Sequence, residues 1–322
     1  MTIAGTTTGD RLVDRVLRGD HAAVARMLSR VESGTDGVHL QLARLYDSGR
    51  RAHVVGVTGA SGSGKSSLVA ALAQTYRRRD RTVGVLAVDP SSPFSGGSVL
   101  GDRIRMGDLA GDGGVFIRSM ATRGALGGLA RTTVDAVTVL EAAGKDVVIV
   151  ETVGVGQDEV DIAGASHTTV LVSVPGLGDA VQAIKAGIME IADIHVVNKA
   201  DREGADAVVA ELREMLRHAR YRRPADWRIP IQTTVAITGD GVDEFADAIE
   251  AHREWLSESD ALARRERDMA ASRLRNIVTG LVLEKLDDPA TGDPFEKLVD
   301  RVARRQIDPF TAANQLLERT LS

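Results

Sequence analysis

Between residues 51 and 256, short apolar segments alternate with longer segments whose apolar residues recur at helical spacing. The short segments are rich in Val and Ile and run nearly continuously apolar, which is typical of strands covered on both faces. They are His53–Thr58, Thr82–Val88, Val115–Ile117, Asp146–Glu151, Thr168–Val174, Ile194–Asn198 and Ile231–Val235. Helical spacing fills most of the intervals, as in Lys65–Arg79, Gly127–Ala143 and Arg202–Arg217. The alternation predicts an α/β fold with a mainly parallel central sheet and helices on both faces.

Residues 1–50 show helical spacing without a strand pattern. One apolar stripe runs from Leu12 to Leu28 and a second runs from Leu40 to Tyr46, which predicts two short amphipathic helices. Gly34 and Gly37 lie between the stripes and favour a turn there. We therefore expect an N-terminal helical extension ahead of the sheet.

The C-terminal part of the chain also predicts helices alone. A long charged stretch, Asp260–Leu286, is followed by Pro289, Pro294 and Pro309, which interrupt the helical pattern. The predicted organisation is an N-terminal helical extension (1–50), a sheet-containing domain (51–256) and a C-terminal helical arm (257–322).

Composition limits the classes of function. The 322 residues are 43% apolar and 26% charged, as in globular proteins. The formal net charge of −5 does not favour a nucleic-acid partner, which usually requires a basic face. The chain has no cysteine, which excludes disulfides and thiolate metal sites. It shows neither a signal-peptide pattern nor a run of about 18 apolar residues, so we expect a cytoplasmic protein that does not interact with a membrane.

A phosphate-binding motif follows the first predicted strand. Residues 59–66, Gly-Ala-Ser-Gly-Ser-Gly-Lys-Ser, match G-x-x-x-x-G-K-[ST] in full, and a helical pattern begins directly afterwards. Glycines let backbone N–H groups point at phosphates, and the N-terminus of a helix adds partial positive charge. The predicted nucleotide-binding residues of this motif, called the phosphate loop below, are Gly59, Ala60, Ser61, Gly62, Ser63, Gly64, Lys65, Ser66 and Ser67.

A second motif, Asn-Lys-Ala-Asp at residues 198–201, indicates that the base is guanine. Guanine presents N1–H and N2–H₂ donors side by side, and the carboxylate of Asp201 can accept both. Such a site can reject a base without these donors by a factor on the order of 10⁴. The alternative is that Asp201 only caps a helix. The predicted base-binding residues are Asn198, Lys199, Asp201, Val235, Ala236 and Ile237, although Val235 stands where GTPases usually carry serine.

Oxygen-bearing residues near the phosphate loop predict a Mg²⁺ site. Glu151 ends an apolar strand, Asp89 follows the second strand, and Asp102 follows a glycine-rich loop. Mg²⁺ usually takes one or two carboxylates and keeps several waters, so these acids and Ser66 cannot all bind directly. We expect Ser66 to ligate directly and the three acids to share direct and water-mediated roles. The alternative for Asp89 is a turn acid before Pro90.

Hydrolysis of GTP requires a water in line with the γ-phosphorus and neutralisation of the phosphate charge. Lys65 is the predicted catalytic cation. Gln157, in a glycine-rich turn after Glu151, and Asp89 are both candidates to orient the water, and the sequence leaves this choice open. We expect slow intrinsic hydrolysis that a partner stimulates.

Several longer runs of the sequence are similar to those of one GTPase family. The runs are Ala87–Ser98, Leu100–Met106, Ser119–Gly124, Glu151–Gln157, Pro175–Gly187 and Asn198–Asp201. They resemble the MeaB/ArgK family, GTPases associated with methylmalonyl-CoA mutase, over most of residues 50–250. The chain departs from that family at Val235 and at Ala60-Ser61, where members often carry proline.

The resemblance implies a low-turnover GTPase that acts as a chaperone. Such proteins bind an adenosylcobalamin-dependent acyl-CoA mutase and assist its cofactor loading, protection or reactivation, with GTP hydrolysis as the switch. They are homodimers whose C-terminal helical arm lies in the dimer contact.

Three other interpretations of the phosphate loop remain. In a scaffold protein the nucleotide would be structural only, and Lys65→Ala would leave partner function intact. A small-molecule kinase would need a base and a substrate pocket, for which the sequence shows no motif. A metal-delivery GTPase usually carries a His- or Cys-rich tract, whereas the seven histidines here are scattered. His195, in Asp193-Ile-His195, lacks the glycine of the cobalamin-ligating pattern Asp-x-His-x-x-Gly and is interpreted as structural.

Overall fold

The computed structural model describes residues 8–90, 107–109, 111–122, 131–152, 162–176, 191–219, 227–286 and 294–321. Asp102 and Gln157, two of the predicted site residues, lie outside these ranges. The chain divides into two compact units, Met1–Met269 and Ala270–Ser322, each of which is described by itself.

The described part of the first unit contains one sheet of seven strands. They are β1 His53–Gly59, β2 Val83–Pro90, β3 Val115–Thr122, β4 Val147–Thr152, β5 Thr168–Ser173, β6 Ile194–Asn198 and β7 Ile231–Thr234. The order is β3-β2-β4-β1-β5-β6-β7, and every neighbouring pair is parallel. All seven predicted strands are confirmed, and β3 continues five residues beyond its predicted end.

Helices cover both faces of this sheet. The helices of the first unit are α1 Thr8–Leu17, α2 His21–Ser33, α3 Val38–Tyr46, α4 Lys65–Arg78, α5 Arg131–Ala142, α6 Ala205–Ala219 and α7 Val242–Glu258. Alternate residues of each strand face opposite sides. Val54 and Val148 pack in one core cluster with α1–α3 and α5, whereas Val55 and Val57 pack in a second with α4 and α7. The predicted α/β architecture is therefore confirmed.

The N-terminal residues form three helices, so the prediction of a single helix from Leu12 to Leu28 was wrong. Gly19 has a φ of 75°, a conformation that ends α1. Asp20 then caps α2 by accepting a hydrogen bond from the Ala23 N–H at 3.0 Å. The buried side chains of all three helices belong to the same core cluster as Leu140 of α5, so these helices are part of the core.

The second unit is helical over its described residues. Helix α8, Ala261–Leu286, crosses the boundary between the units, and α9, Pro294–Ala303, and α10, Pro309–Leu321, follow. Each of the last two begins at a proline, where the missing N–H removes no helical hydrogen bond. Leu298, Ala312 and Leu316 form a small core. None of the described helices combines the length and apolar character needed to cross a bilayer.

Candidate nucleotide-binding site

The candidate site lies at the carboxyl ends of the central strands. In the strand order, the step from β1 to β2 leads towards one edge of the sheet, whereas the step from β4 to β5 leads towards the other edge. In open parallel sheets, ligands bind where the strand order reverses in this way. The phosphate loop follows β1 and therefore occupies this position.

Two glycines of the phosphate loop are required because neighbouring atoms leave no room for a Cβ. Gly59 has a φ of 143°, and a Cβ there would lie 2.2 Å from the carbonyl oxygen of Val172 in β5. Gly64 has a φ of 86°, and its Cβ would lie 2.6 Å from Nδ2 of Asn198. Any side chain at either position would displace the loop from its neighbours. The loop is therefore held against β5 and the Asn-Lys-Ala-Asp motif.

Lys65 begins α4 and is buried against the phosphate loop. Its Nζ donates to the carbonyl oxygens of Gly59 at 2.8 Å and Ala60 at 3.1 Å, and 6% of the residue is exposed. Gly64, at the N-cap of α4, supplies no side-chain capping bond. The ammonium group and the N–H groups of the first helical turn therefore lie together, which is an arrangement that can receive an anion.

A hydroxyl and a carboxylate meet beside the loop. Ser66 Oγ donates to Oε1 of Glu151 at 2.6 Å, and Glu151 is buried at the carboxyl end of β4. Hard oxygen ligands of this kind suit Mg²⁺, so these two residues fit the predicted metal site. Asp89 belongs to β2, the neighbour of β4, where its backbone is in register with Ala121 of β3. The roles of Asp89, Asp102 and Gln157 stay predictions.

Asn198 joins three segments of the site. Its Nδ2 donates to the carbonyl oxygen of Ser63 in the phosphate loop at 2.9 Å. Its Oδ1 accepts bonds from Thr234 Oγ1 at 3.1 Å and from the Ala236 N–H at 3.2 Å. Because both ends of this buried amide are bonded to protein, Asn198 holds the phosphate loop and the predicted base loop in one arrangement.

Lys199 and Asp201 occupy the outer edge of this arrangement. Lys199 adopts a φ of 56°, and its Nζ donates to the carbonyl oxygen of Gly62 at 2.8 Å, so its stem crosses the phosphate loop. Asp201 is exposed two residues further along. The carboxylate predicted to read guanine is thus accessible beside the loop.

The predicted base loop is a tight turn after β7. The Val235 N–H donates to the Asp240 carbonyl oxygen, and the Gly239 N–H donates to the Val235 carbonyl oxygen, both at 2.9 Å. Ala236 is buried and bonded to Asn198, whereas Ile237 is 88% exposed. Backbone bonds define this turn, so its conformation does not depend on a serine hydroxyl at position 235.

Sequence reasoning missed several hydroxyls that support the site. Thr234 bonds Asn198, and Thr152 Oγ1 donates to Thr58 Oγ1 at 3.1 Å between β4 and β1. Each of these threonines stands at or next to the carboxyl end of a strand. A polar residue at the end of an otherwise apolar strand is the signal that could have identified them.

Comparison with known proteins places the chain in a family. Residues 24–290 match the family described as "Methylmalonyl Co-A mutase-associated GTPase MeaB". A protein of Pyrococcus abyssi named as a GTPase is 47% identical over 310 residues, which is 96% of each chain. GTPase ArgK of Escherichia coli is 34% identical over 95% of each chain.

Two further relatives extend the comparison. The methylmalonic aciduria type A homolog of Mus musculus, described as mitochondrial, is 32% identical over 96% of this chain and 79% of the mouse protein. The crystal structure of a protein described as "LAO/AO transport system kinase" matches the whole of both chains with a TM-score of 0.73 and 28% identity. The chain therefore belongs to the MeaB family and is a GTPase with the phosphate-loop fold.

Proposed function

We propose that this GTPase binds GTP and Mg²⁺ at the site described above and acts as a chaperone for an adenosylcobalamin-dependent acyl-CoA mutase of the methylmalonyl-CoA mutase type. The observation that carries the proposal is the Asn198 amide, which fixes the phosphate loop against the Asn-Lys-Ala-Asp motif. The mutase is proposed because the description of the family names it. A homodimer and a cytoplasmic location are also part of the proposal. The homodimer rests on the resemblance, and the location rests on the sequence pattern, both described above.

The geometry supports the proposed roles of Lys65, Ser66, Glu151 and Lys199, whereas those of Gln157 and Asp89 rest on the sequence alone. Lys65 and the first turn of α4 bind the phosphates and neutralise charge that develops during hydrolysis. Ser66 and Glu151 hold Mg²⁺, which supplies charge stabilisation when it is bound. Asp201 accepts the two guanine donors, and Lys199 covers the phosphate loop beside it. Either Gln157 or Asp89 orients the attacking water.

The first test is GTP hydrolysis by the full chain, with and without a cobalamin-dependent acyl-CoA mutase from the same source. We expect slow turnover that rises with the mutase. Lys65→Ala should lower both rates at least about tenfold, because it removes a charge-assisted phosphate contact. Arg213→Ala, which removes a positive charge at an exposed position of α6, is the control and should leave both unchanged. Turnover indifferent to the mutase would remove this partner from the proposal.

The same assay distinguishes this function from a small-molecule kinase and from a metal-delivery GTPase. One structural relative is described as a transport-system kinase, so the γ-phosphate must be followed. A GTPase releases all of it as inorganic phosphate, whereas a kinase retains part of it on an acceptor. Stimulation by a metal-dependent enzyme together with its metal, and not by the mutase, would instead indicate metal delivery.

A further inference from the structure

A buried polar cluster lies at the amino ends of β1, β5 and β6, the edge of the sheet opposite the nucleotide site. His53 Nε2 is hydrogen-bonded to Thr168 Oγ1 at 2.7 Å, and the same oxygen is bonded to His252 Nδ1 at 2.8 Å. Trp227 and Trp255 pack on His252 with ring centroids 4.7 Å and 5.6 Å away. Two of these strands carry nucleotide motifs at their other ends.

Arg265, on the part of α8 that belongs to the first unit, contributes a cation to this cluster. Its Nε donates to the carbonyl oxygen of Ser166 at 3.0 Å, and its Nη2 donates to Oδ2 of Asp193 at 2.5 Å. Asp193 directly precedes β6, and its carbonyl oxygen accepts a bond from Trp227 Nε1 at 2.9 Å. Glu266, the next residue of α8, pairs with Arg51 ahead of β1. The first turns of α8 are therefore bonded to the residues that precede β1, β5 and β6.

The residues that precede β5 pack directly on the strand of the phosphate loop. A Cβ at Gly56 would lie 2.6 Å from Cγ1 of Ile162 and 2.8 Å from Oγ of Ser166. Ser166 Oγ donates to the Ile162 carbonyl oxygen at 2.8 Å and lies 3.1 Å from Thr169 Oγ1. This contact is three residues before Gly59. Because packed interiors transmit small displacements, a shift of β1 displaces Ser166.

We infer that Arg265 is a positioning residue that couples nucleotide binding to the first turns of α8; the inference rests on the proposed GTP site. A guanidinium is planar and rigid, so it can bond Ser166 and Asp193 together only over a narrow range of spacings between them. β1 controls the position of Ser166, and β6 begins next to Asp193. A nucleotide that moves either strand alters this spacing, and α8 must follow or release a bond.

The two tryptophans make this coupling measurable, since the chain contains no others. The experiment records the intrinsic fluorescence of the full chain with Mg²⁺-GDP and with a Mg²⁺-bound non-hydrolysable GTP analogue, and calorimetry measures both affinities. We expect different emission for the two nucleotides. Arg265→Gln should abolish this difference and change the ratio of the two dissociation constants about fivefold or more. Arg264→Gln, an exposed neighbour with the same charge change, should preserve both.

Ser166→Ala gives a second variant with little change in volume. It keeps the carbonyl oxygen that Arg265 bonds but loses the hydroxyl that joins Ile162 and Thr169. We expect a smaller emission difference and a shift of the affinity ratio in the same direction. Circular dichroism tests whether each variant is folded. If Arg265→Gln does not fold, the emission difference and affinity ratio of Ser166→Ala test the coupling instead.

The outcomes separate this inference from the proposed function. Nucleotide binding with equal emission in the unmodified chain overturns the coupling and leaves the GTP site in place. An emission difference that survives in folded Arg265→Gln, with an unchanged affinity ratio, also overturns it. Absence of GTP binding in calorimetry contradicts the proposed function itself.

Discussion

The carboxylate of Asp201 is the group on which the choice of base should depend. It is exposed two residues beyond Lys199, whose ammonium is bonded to the phosphate loop. Xanthine carries a carbonyl where guanine carries its amino group, so an amide at this position offers the complementary donor. Asp201→Asn should weaken GTP binding by about 100-fold, the cost of one charged hydrogen bond, and improve XTP binding.

Competition between GTP and XTP in equilibrium binding measures this change of specificity. Asp206 is an exposed acid in the first turn of α6. Asp206→Asn makes the same change of charge outside the predicted base site and is the control. The structure does not support the alternative that Asp201 caps a helix, because α6 begins only at Ala205. If both variants bound GTP like the unmodified chain, Asp201 would not select the base.

His195 is a buried polar residue whose replacement should stabilise the protein. The residue is fully buried in β6, neither ring nitrogen has a hydrogen-bond partner among the residues that the structure describes, and burial lowers its pKa to about 4. His195→Leu should raise the free energy of unfolding by about 1 kcal/mol at pH 7.5, because it removes an unsatisfied polar group. The gain should increase by about 2 kcal/mol at pH 5, where the unfolded histidine is protonated.

Urea unfolding at the two pH values measures these differences. His39→Leu, at an exposed position of α3, is the control and should show neither gain. A pH-independent gain for His195→Leu would mean that His195 is not held neutral in the folded protein.

The individual motifs of the site are predictable from sequence, but their contacts are not. Residues 59–66 and 198–201 are local patterns whose residue types follow from the chemistry of phosphate and guanine. The bond from Asn198 to Ser63 joins residues 135 positions apart. No local pattern indicates that this amide bonds protein at both ends, because that depends on how β6 lies beside the phosphate loop.

At the scale of elements, α2 contributes to the core of the GTPase unit. Met27 of α2 is fully buried in the cluster that contains Val54 of β1 and Leu140 of α5. Met27→Ala should therefore lower the free energy of unfolding of the whole first unit by about 2–5 kcal/mol. Leu40→Ala, at a residue of α3 that is 64% exposed, should change it by about 0.5 kcal/mol or less.

Chemical denaturation followed by circular dichroism and by nucleotide binding tests this expectation. The two signals should shift together to lower denaturant in Met27→Ala. Loss of helix signal at a midpoint where nucleotide binding persists would show that α1–α3 unfold independently of the sheet.

The strands were predictable because short, continuous runs of Val and Ile are typical of strands that are covered on both faces. The break between α1 and α2 was not, since Val16 and Ala23 keep apolar positions at a helical interval across it. The interruption depends on the positive φ of Gly19 and the cap at Asp20, which apolar spacing does not register.

At the scale of the whole molecule, buried histidines should make the fold sensitive to acid. Burial lowers the pKa of His167, His195 and His252 to about 4, and that of His53 well below its usual range. The unfolded chain binds these protons first, so stability is complete above about pH 6.5 and falls towards pH 4. Each histidine should contribute a slope of about 1.4 kcal/mol per pH unit in that window.

Thermal unfolding between pH 7.5 and 4.5 measures the total slope. His195→Leu should reduce the slope by about 1.4 kcal/mol per pH unit, the contribution of one histidine. His39→Gln, at an exposed position, should leave the slope unchanged. A flat profile down to pH 5 would contradict the burial of these rings. The proximity of His53, His167 and His252 could not be predicted from sequence, because they are far apart in the chain and meet only where α7 packs at the amino ends of β1 and β5.

The strand order also sets when the protein can fold during its synthesis. β1 pairs with β4 and β5. In the strand register His53 lies beside Val147 of β4, and Val55 lies beside Thr168 of β5. Until those residues leave the ribosome, β1 has no strand to pair with. The helices α1–α3 likewise lack α5, against which their apolar side chains pack. We expect nascent chains that end before Val147 to bind no nucleotide and to need protection from aggregation. Guanine nucleotide can then stabilise only a chain that already extends beyond the Asn-Lys-Ala-Asp motif.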